Sequence, residues 1–365
     1  MSKTIYIADS VFTGAKMLMH HAIVVNNDII ESVVPISAVE NEKEIIDFGE
    51  AVIAPAFIDI QLYGAHGRLL AVYPDAKTVG EIYDYCKKGG AAYCMPTVAT
   101  NPYETIFKCI DAIRSYWQQG GKGVLGLHVE GPWISKTKRG AHREEWIFSP
   151  TFEEVNELLK YGKDVIKIIT LAPEVCSKEV LGLIHSNNII VSAGHSNATY
   201  QEAMQSFDEG IHTATHLFNA MSALQHRAPG MVGAVFNHPR VLCSMVPDGH
   251  HVDFAVIRIA KKIMGERLFV ITDAVTETTE GYYKHKFEGD KYTSNGILSG
   301  SALTMSKAAY NLVHHAGISF EEALRMCSLY PACALKIDDR FGMIEAGRKA
   351  NFVVLSNEMN VLTVL

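Results

Sequence analysis

Four ionisable residues, Glu130, His195, His216 and Asp273, each close a short apolar run, in "LHVEGPW", "SAGHSNA", "TATHLFNAM" and "VITDAV". One carboxylate and two imidazoles are a sufficient protein ligand set for a catalytic zinc, with water in the remaining position. Asp273 is then the candidate general base. A carboxylate beside an activated water takes its proton and later returns it to a leaving amine. The two histidines are 21 residues apart, about one strand plus one helix, so successive strands would present them side by side. Any one of the four, alone, is as well explained as an ordinary strand-end polar group, and Asp273 as a cap on the following turn. Four at equivalent places call for a common cause. His128, two residues before Glu130 and on the same strand face, reads as an interior residue before it reads as a ligand.

Loops between these runs carry further polar groups. "KRGAHREEW" sets His142 beside Arg143, and a histidine above such a site can polarise a carbonyl or stabilise an oxyanion. "LFNAMSALQHRAPG" offers Asn219, His226 and Arg227, and "PDGHHVD" offers His250 and His251. Basic side chains with backbone amides suit a phosphate, although charge in a loop usually serves solvation alone. "LSGSALTM" is a small-residue turn leading into a helix. It can meet an anion or a sugar hydroxyl near Gly300 or Ser301, or simply cap that helix.

The elements that must position these residues follow from the patterning. From Pro55 onward, eight apolar runs alternate with helix-like segments: "FIDIQLY", "AAYCMPTV", "GVLGLHVE", "VIKIITLA", "NIIVSAGH", "HTATHL", "VLCSMVP" and "RLFVITDA". Helices are expected at 101–118, 151–161, 177–187, 199–209, 253–264, 302–316 and 319–334. Eight parallel strands close a (β/α)8 TIM-like barrel, whose chemistry lies at the carboxyl ends of its strands. "HTATHL" is the least strand-like of the eight. Residues 276–298 read as a hairpin. Ahead of the barrel, residues 1–52 read as short strands with a turn at Asn26-Asn27-Asp28, and "GRKANFVVLS" near the other end is again a strand. The expected division is a small β-sandwich domain from residues 1–53 and 343–365, and a barrel from 54–342.

Composition excludes some classes. The 365 residues carry a formal net charge of −7 and are 48% hydrophobic. A sizeable core is affordable, and the basic stripe of a nucleic-acid binder is missing. The seven cysteines form no C-x-x-C pair and read as reduced thiols. The opening residues show no secretory pattern and no apolar run reaches membrane-spanning length. A soluble, cytoplasmic protein is expected, with neither nucleic acid nor membrane as partner.

"HVEGPW", "GAHR", "GHSNATY", "THLFNAMS", "RAPGMVGA", "DGHHVD", "TDAV" and "SGSALTM" occur in this order. Together they resemble the N-acetylglucosamine-6-phosphate deacetylases of the amidohydrolase superfamily, over about residues 54–350. The resemblance implies one divalent metal on Glu130, His195 and His216, with Zn2+ first and Fe2+, Co2+ or Mn2+ compatible. It implies Asp273 as catalytic acid/base and His142 facing the acetamido carbonyl. Substrate contacts would fall on Ala141, Asn219, Ala220, Arg227, His251, Leu298, Ser299 and Gly300. It further implies a homodimer or homotetramer acting on a phosphorylated amino sugar, with the neighbouring subunit helping to close the phosphate site.

The first strand departs from the pattern. Some members of this group carry His-x-His there and bind two metals; others carry Gln-x-Asn and bind one. Here the pair is Gln61 and Tyr63, on one strand face, which points to a single metal. Competing readings are an amidohydrolase acting on a cyclic amide or nucleobase, and a sugar-phosphate sensor without turnover. Retention of Asp273 beside a full Glu/His/His set weighs against the sensor, because a pure binder needs no base.

Overall fold

The computed structural model describes residues 3–365, so the first two residues of the expected 1–53 segment lie outside the described part. Eight parallel strands form one sheet in chain order: β1 Phe57–Leu62, β2 Ala91–Ala99, β3 Leu127–Glu130, β4 Ile166–Leu171, β5 Ile190–Ala193, β6 Thr213–Ala214, β7 Leu242–Met245 and β8 Leu268–Val270. Past the end of β8 the chain returns to β1. The Asp273 N–H donates to the Gln61 carbonyl at 2.9 Å and the Tyr63 N–H to the Ala274 carbonyl at 2.8 Å. Leu62 and Ala274 form a parallel bridge. These bonds close the sheet into the expected barrel.

Strands covered on both faces need continuous apolar runs rather than alternation, and every residue of β1, Asp59 and Gln61 included, is buried. β6 is only two residues long. The chain beyond it takes left-handed conformations at His216, Phe218 and Ala220, which strand pairing does not tolerate.

Helices Tyr103–Gln118, Phe152–Gly162, Lys178–Ser186, Tyr200–Asp208 and Phe254–Met264 fall where expected. Two begin with capping boxes, Thr151 with Glu154 and Thr199 with Glu202, in which side chain and backbone satisfy each other's free donors. Two helices were not expected. Ala76–Lys88 follows β1. Gly230–Asn237, "GMVGAVFN", is buried on nearly all sides and therefore shows no amphipathic period. The single helix expected at 319–334 is two, Phe320–Cys327 and Leu329–Ala334, parted at Ser328. Pro331 supplies no N–H for the carbonyl four residues back, which stops a continuous ladder there.

Two further sheets use the chain ends. One orders strands 29–35, 21–26, 3–7 and 45–47; the other orders 361–364, 352–356, 51–55, 10–12 and 17–19. In the second, Phe352–Ser356 pairs antiparallel with Ala51–Pro55. Val11, Ile23, Ile53, Phe352 and Val354 bury one another in a common cluster. The turn at Asn27 and Asp28 has φ of 49° and 64°, the pair of positive values a two-residue hairpin needs.

The chain divides into two compact units. One runs up to Asp59 and includes Cys86–Tyr93 and Thr304–Leu365; the other is Ile60–Tyr85 with Cys94–Leu303. The first therefore also holds the helices between residues 305 and 334. Every candidate site residue named in the sequence lies in the second.

Candidate active site

Glu130 is the last residue of β3, His195 and His216 lie two residues beyond β5 and β6, and Asp273 lies three beyond β8. His195, His216 and Asp273 have φ of 48°, 42° and 54°. Such conformations are uncommon for residues with a Cβ and gather at functional sites. Here they turn the chain sharply at the strand end.

The Nε2 atoms of His195 and His216 are 3.0 Å apart, and they stand 3.3 and 3.2 Å from Glu130 Oε1. The other ring nitrogens settle what these atoms are. His195 Nδ1 faces the Lys138 carbonyl at 2.9 Å and His216 Nδ1 faces the Asn219 carbonyl at 3.0 Å. A carbonyl only accepts, so both Nδ1 atoms carry the hydrogen and both Nε2 atoms present lone pairs. Two lone pairs and a carboxylate oxygen thus converge, all within 4.8 Å of one another and all buried. That donor set fits a divalent cation, and the carbonyl anchors on the far nitrogens are the usual orientation of metal-binding imidazoles. Burial first, and the neighbouring His142, lower the pKa of His195 to about 4. His216 moves upward despite burial, because Glu130 and Asp273 favour its charged form. Glu130 is held well below the usual carboxylate range: burial opposes this, and the surrounding histidines outweigh it.

Gln61 and Tyr63 fill the side of the site next to β1. Gln61 Nε2 lies 3.0 Å from Glu130 Oε1, 3.0 Å from Asp273 Oδ1 and 2.9 Å from the Tyr63 hydroxyl. The Tyr63 hydroxyl donates to Glu130 Oε2 in a short bond and lies 3.3 Å from Asp273 Oδ1. Burial, then the Asp273 and Glu130 charges, push the tyrosine pKa well up, so it stays a neutral donor. It links Glu130 to Asp273.

Asp273 is shifted upward, chiefly by burial, with His251 opposing. His251 Nε2 stands 3.7 Å from Asp273 Oδ2, and its Nδ1 is 2.6 Å from Asp248 Oδ2. Asp248 is lowered: its burial works upward, and the bonds from His251 and backbone amides prevail. His142 Nε2 approaches Glu130 Oε2 at 3.3 Å. His128 lies below, bonded to the Ile60 carbonyl at 2.9 Å and to Thr170 Oγ1 at 2.8 Å, an interior residue as expected.

Tyr63, Glu130, His142, His195, His216, His251 and Asp273 face one cavity of about 250 Å³. Ala141, His142, Asn219, Ala220, His251, Leu298, Ser299 and Gly300 all line it together with Glu130, His195, His216 and Asp273. Arg227 does not. It is exposed on a turn closed by Gln225 and Ala228, whose backbones bond each other, and this turn directs it to solvent rather than into the cavity. Sequence reasoning missed Tyr283 and His285, which also line the cavity. His285 Nδ1 is 2.8 Å from Ser299 Oγ, and burial lowers its pKa to about 4. The available signal was the ring-rich "YYKH" at the start of the expected hairpin.

Comparison with known proteins gives a consistent result. The family model described as the amidohydrolase family matches residues 52–365, and the model described as the NagA composite domain matches residues 9–53. An N-acetylglucosamine-6-phosphate deacetylase of Haemophilus influenzae is 35% identical, over 96% of this chain and 95% of the relative. An N-acetylgalactosamine-6-phosphate deacetylase of Escherichia coli O157:H7 is 30% identical, over 97% and 95%. Among solved structures, the N-acetylglucosamine-6-phosphate deacetylase of Pasteurella multocida superposes with a TM-score of 0.95 at 35% identity, covering 100% of this chain and 98% of that one. A Mycobacterium smegmatis deacetylase mutant in complex with N-acetyl-D-glucosamine-6-phosphate gives 0.90 at 26%, covering 100% and 98%.

Proposed function

The chain belongs to the amidohydrolase family, and from that premise we propose that it hydrolyses the acetamide of N-acetyl-D-glucosamine 6-phosphate to D-glucosamine 6-phosphate and acetate. The observation that carries the reading is the convergence of three metal-seeking atoms, from Glu130, His195 and His216, with a buried carboxylate, Asp273, alongside in the same cavity. The relatives named for this reaction, similar over nearly the whole chain, support it.

Glu130, His195 and His216 would hold one divalent metal, which we take to be zinc, with iron(II), cobalt or manganese served by the same donors. Such an ion supplies Lewis acidity and a water of lowered pKa. The rest falls to this chain's side chains. Asp273, raised in pKa by its burial, accepts the proton of the attacking water and passes it to the departing amine nitrogen. His142 donates from Nε2 to the acetamido oxygen as negative charge develops there. Gln61 and Tyr63 hold Glu130 and Asp273 at fixed separation. They occupy the place where a second metal's histidines would stand, which supports one metal per chain.

We assign sugar and phosphate contacts to Ala141, Asn219, Ala220, His251 and the Leu298–Gly300 turn. Arg227, exposed in the single chain, is read as serving the phosphate in a homodimer or homotetramer. Residues 1–53 and 343–365 are proposed as a small β-domain and 54–342 as the hydrolase barrel; the pairing of 51–55 with 352–356 supports the first. A cytoplasmic location is proposed: the seven cysteines are free thiols, and among the described residues no helix is long and apolar enough to cross a membrane.

The test is acetate release by metal-stripped protein titrated with zinc, using N-acetylglucosamine 6-phosphate, its galactosamine epimer and the unphosphorylated sugar. Release from the phosphorylated glucosamine substrate, saturating near one zinc per chain, is expected. Equal rates with the unphosphorylated sugar would defeat the phosphate assignment, and preference for the epimer would move the substrate to the galactosamine series.

A further inference from the structure

His142 can donate to a substrate carbonyl only if Nε2 carries its hydrogen, and a neutral imidazole has two tautomers to choose from. The structure fixes the choice from both ends of the ring. Nε2 faces Glu130 Oε2 at 3.3 Å, and a carboxylate oxygen accepts only. Nδ1 faces two groups of Thr100: the hydroxyl at 2.7 Å and the backbone N–H at 3.4 Å. The backbone N–H only donates. Were Nδ1 protonated, two hydrogens would point at each other there, while an Nε2 lone pair pointed at the carboxylate. With Nδ1 bare, Thr100 donates to it from hydroxyl and amide together. The hydroxyl's other neighbour, the Glu130 carbonyl, is distant at 3.4 Å.

Thr100 is itself held in place. It follows β2, is completely buried, and its carbonyl accepts from the Tyr283 hydroxyl at 2.6 Å. Gly131, in "HVEGPW", leaves the room it needs. A Cβ at 131 would stand 2.1 Å from Thr100 Oγ1, well inside contact distance. Thr100 does not line the cavity and so cannot act on substrate directly. Resting on the reading of His142 given above, we infer that Thr100 is a positioning residue that holds His142 as its Nε2–H tautomer and thereby aims the donor at the substrate's amide oxygen.

The test uses zinc-loaded full-length protein labelled with 15N at histidine, with the His142 signals identified by their loss in His142→Gln. The wild type is expected to show a bare, pyridine-like Nδ1 and a protonated, pyrrole-like Nε2. Thr100→Val keeps the shape and removes the hydroxyl. Since a neutral hydrogen bond contributes about 1 kcal/mol, kcat should fall roughly 5- to 10-fold with KM nearly unchanged. The His142 signals should shift toward a mixture of tautomers, and Thr100→Ser should restore both rate and spectrum. A protonated Nδ1 in the wild type overturns the inference, as does native kcat with a native spectrum in Thr100→Val. A fall in rate accompanied by lost zinc or lost fold overturns it too, because Thr100 would then be merely structural. Undiminished turnover by His142→Gln would instead defeat the carbonyl-donor role of His142. The wild-type spectrum would still judge the tautomer, so the two failures are distinguishable.

Discussion

Asp273 is placed by its own backbone: at φ 54° the chain doubles back after β8, while its N–H and carbonyl are spent on Gln61 and Ser301. Its side chain is left to Gln61, Tyr63 and His251. Asp273→Asn preserves shape and removes the basic oxygen. That variant should bind zinc at the native stoichiometry and lose at least about two orders of magnitude in kcat, the lower bound usual for general acid–base catalysis. Zinc content and steady-state kinetics on one preparation check this, and near-native turnover would remove Asp273 from the mechanism. At this scale the sequence was informative wherever one residue's position decided its role. Glu130, His195, His216 and Asp273 each end an apolar run, so strand periodicity alone aims them together. Tyr63 and Thr100 were opaque for the opposite reason. Tyr63 meets Glu130 and Asp273 across 67 and 210 residues, and Thr100 meets His142 across 42; no local pattern encodes such meetings.

Glycines show how the elements are adjusted to the site and where they are not. Gly131 sits at φ 75° against the Thr100 hydroxyl, so Gly131→Ala carries both a disfavoured backbone and a clash. A loss of roughly 1–3 kcal/mol is expected from the backbone strain alone. Gly182, inside the helix Lys178–Ser186, has open space where a Cβ would go and no positive φ. Gly182→Ala should therefore stabilise, by about 0.5–1 kcal/mol. Urea unfolding of both zinc-loaded variants measures the pair. A stabilised Gly131→Ala or a destabilised Gly182→Ala would contradict the geometric account of that position. Element boundaries were legible where capping chemistry marks them, as at Thr151 and Thr199, and were missed at Ser328, where the expected helix ran through Pro331 unbroken. They were illegible for Gly230–Asn237, whose burial on all sides removes the polar face that periodicity requires. For β6 the expected run was too long, because the turn that presents His216 consumes its end.

At the scale of the whole molecule, the eight strands were readable because a closed parallel barrel demands a continuous apolar run for each of them. The outward direction of Arg227 was not readable, because nothing local says which way a turn faces. The same closed architecture bears on how metal and fold depend on each other. The three ligand atoms come from β3, from the turn after β5 and from the turn after β6, so they are assembled by the barrel and do not assemble it. The surrounding core, from Phe57 on β1 to Phe269 on β8, is buried without their help. Chelation should leave the far-ultraviolet spectrum unchanged, unlike a small metal domain that unfolds when stripped. Yet the bare site leaves two lone pairs and a carboxylate facing one another, and an ion that binds only the folded barrel stabilises it by mass action. At free zinc 100 times the dissociation constant this is about 2.7 kcal/mol. For a chain of this size that corresponds to a rise in Tm of a few degrees, about 2–4 °C per 1 kcal/mol for domains somewhat smaller than this one. Titrating zinc into stripped protein while following Tm should give a rise that breaks at one equivalent. A second break at two equivalents would mean that Gln61 and Tyr63 do not close the second position, and an unmoved Tm would mean that the three converging atoms are not a metal site.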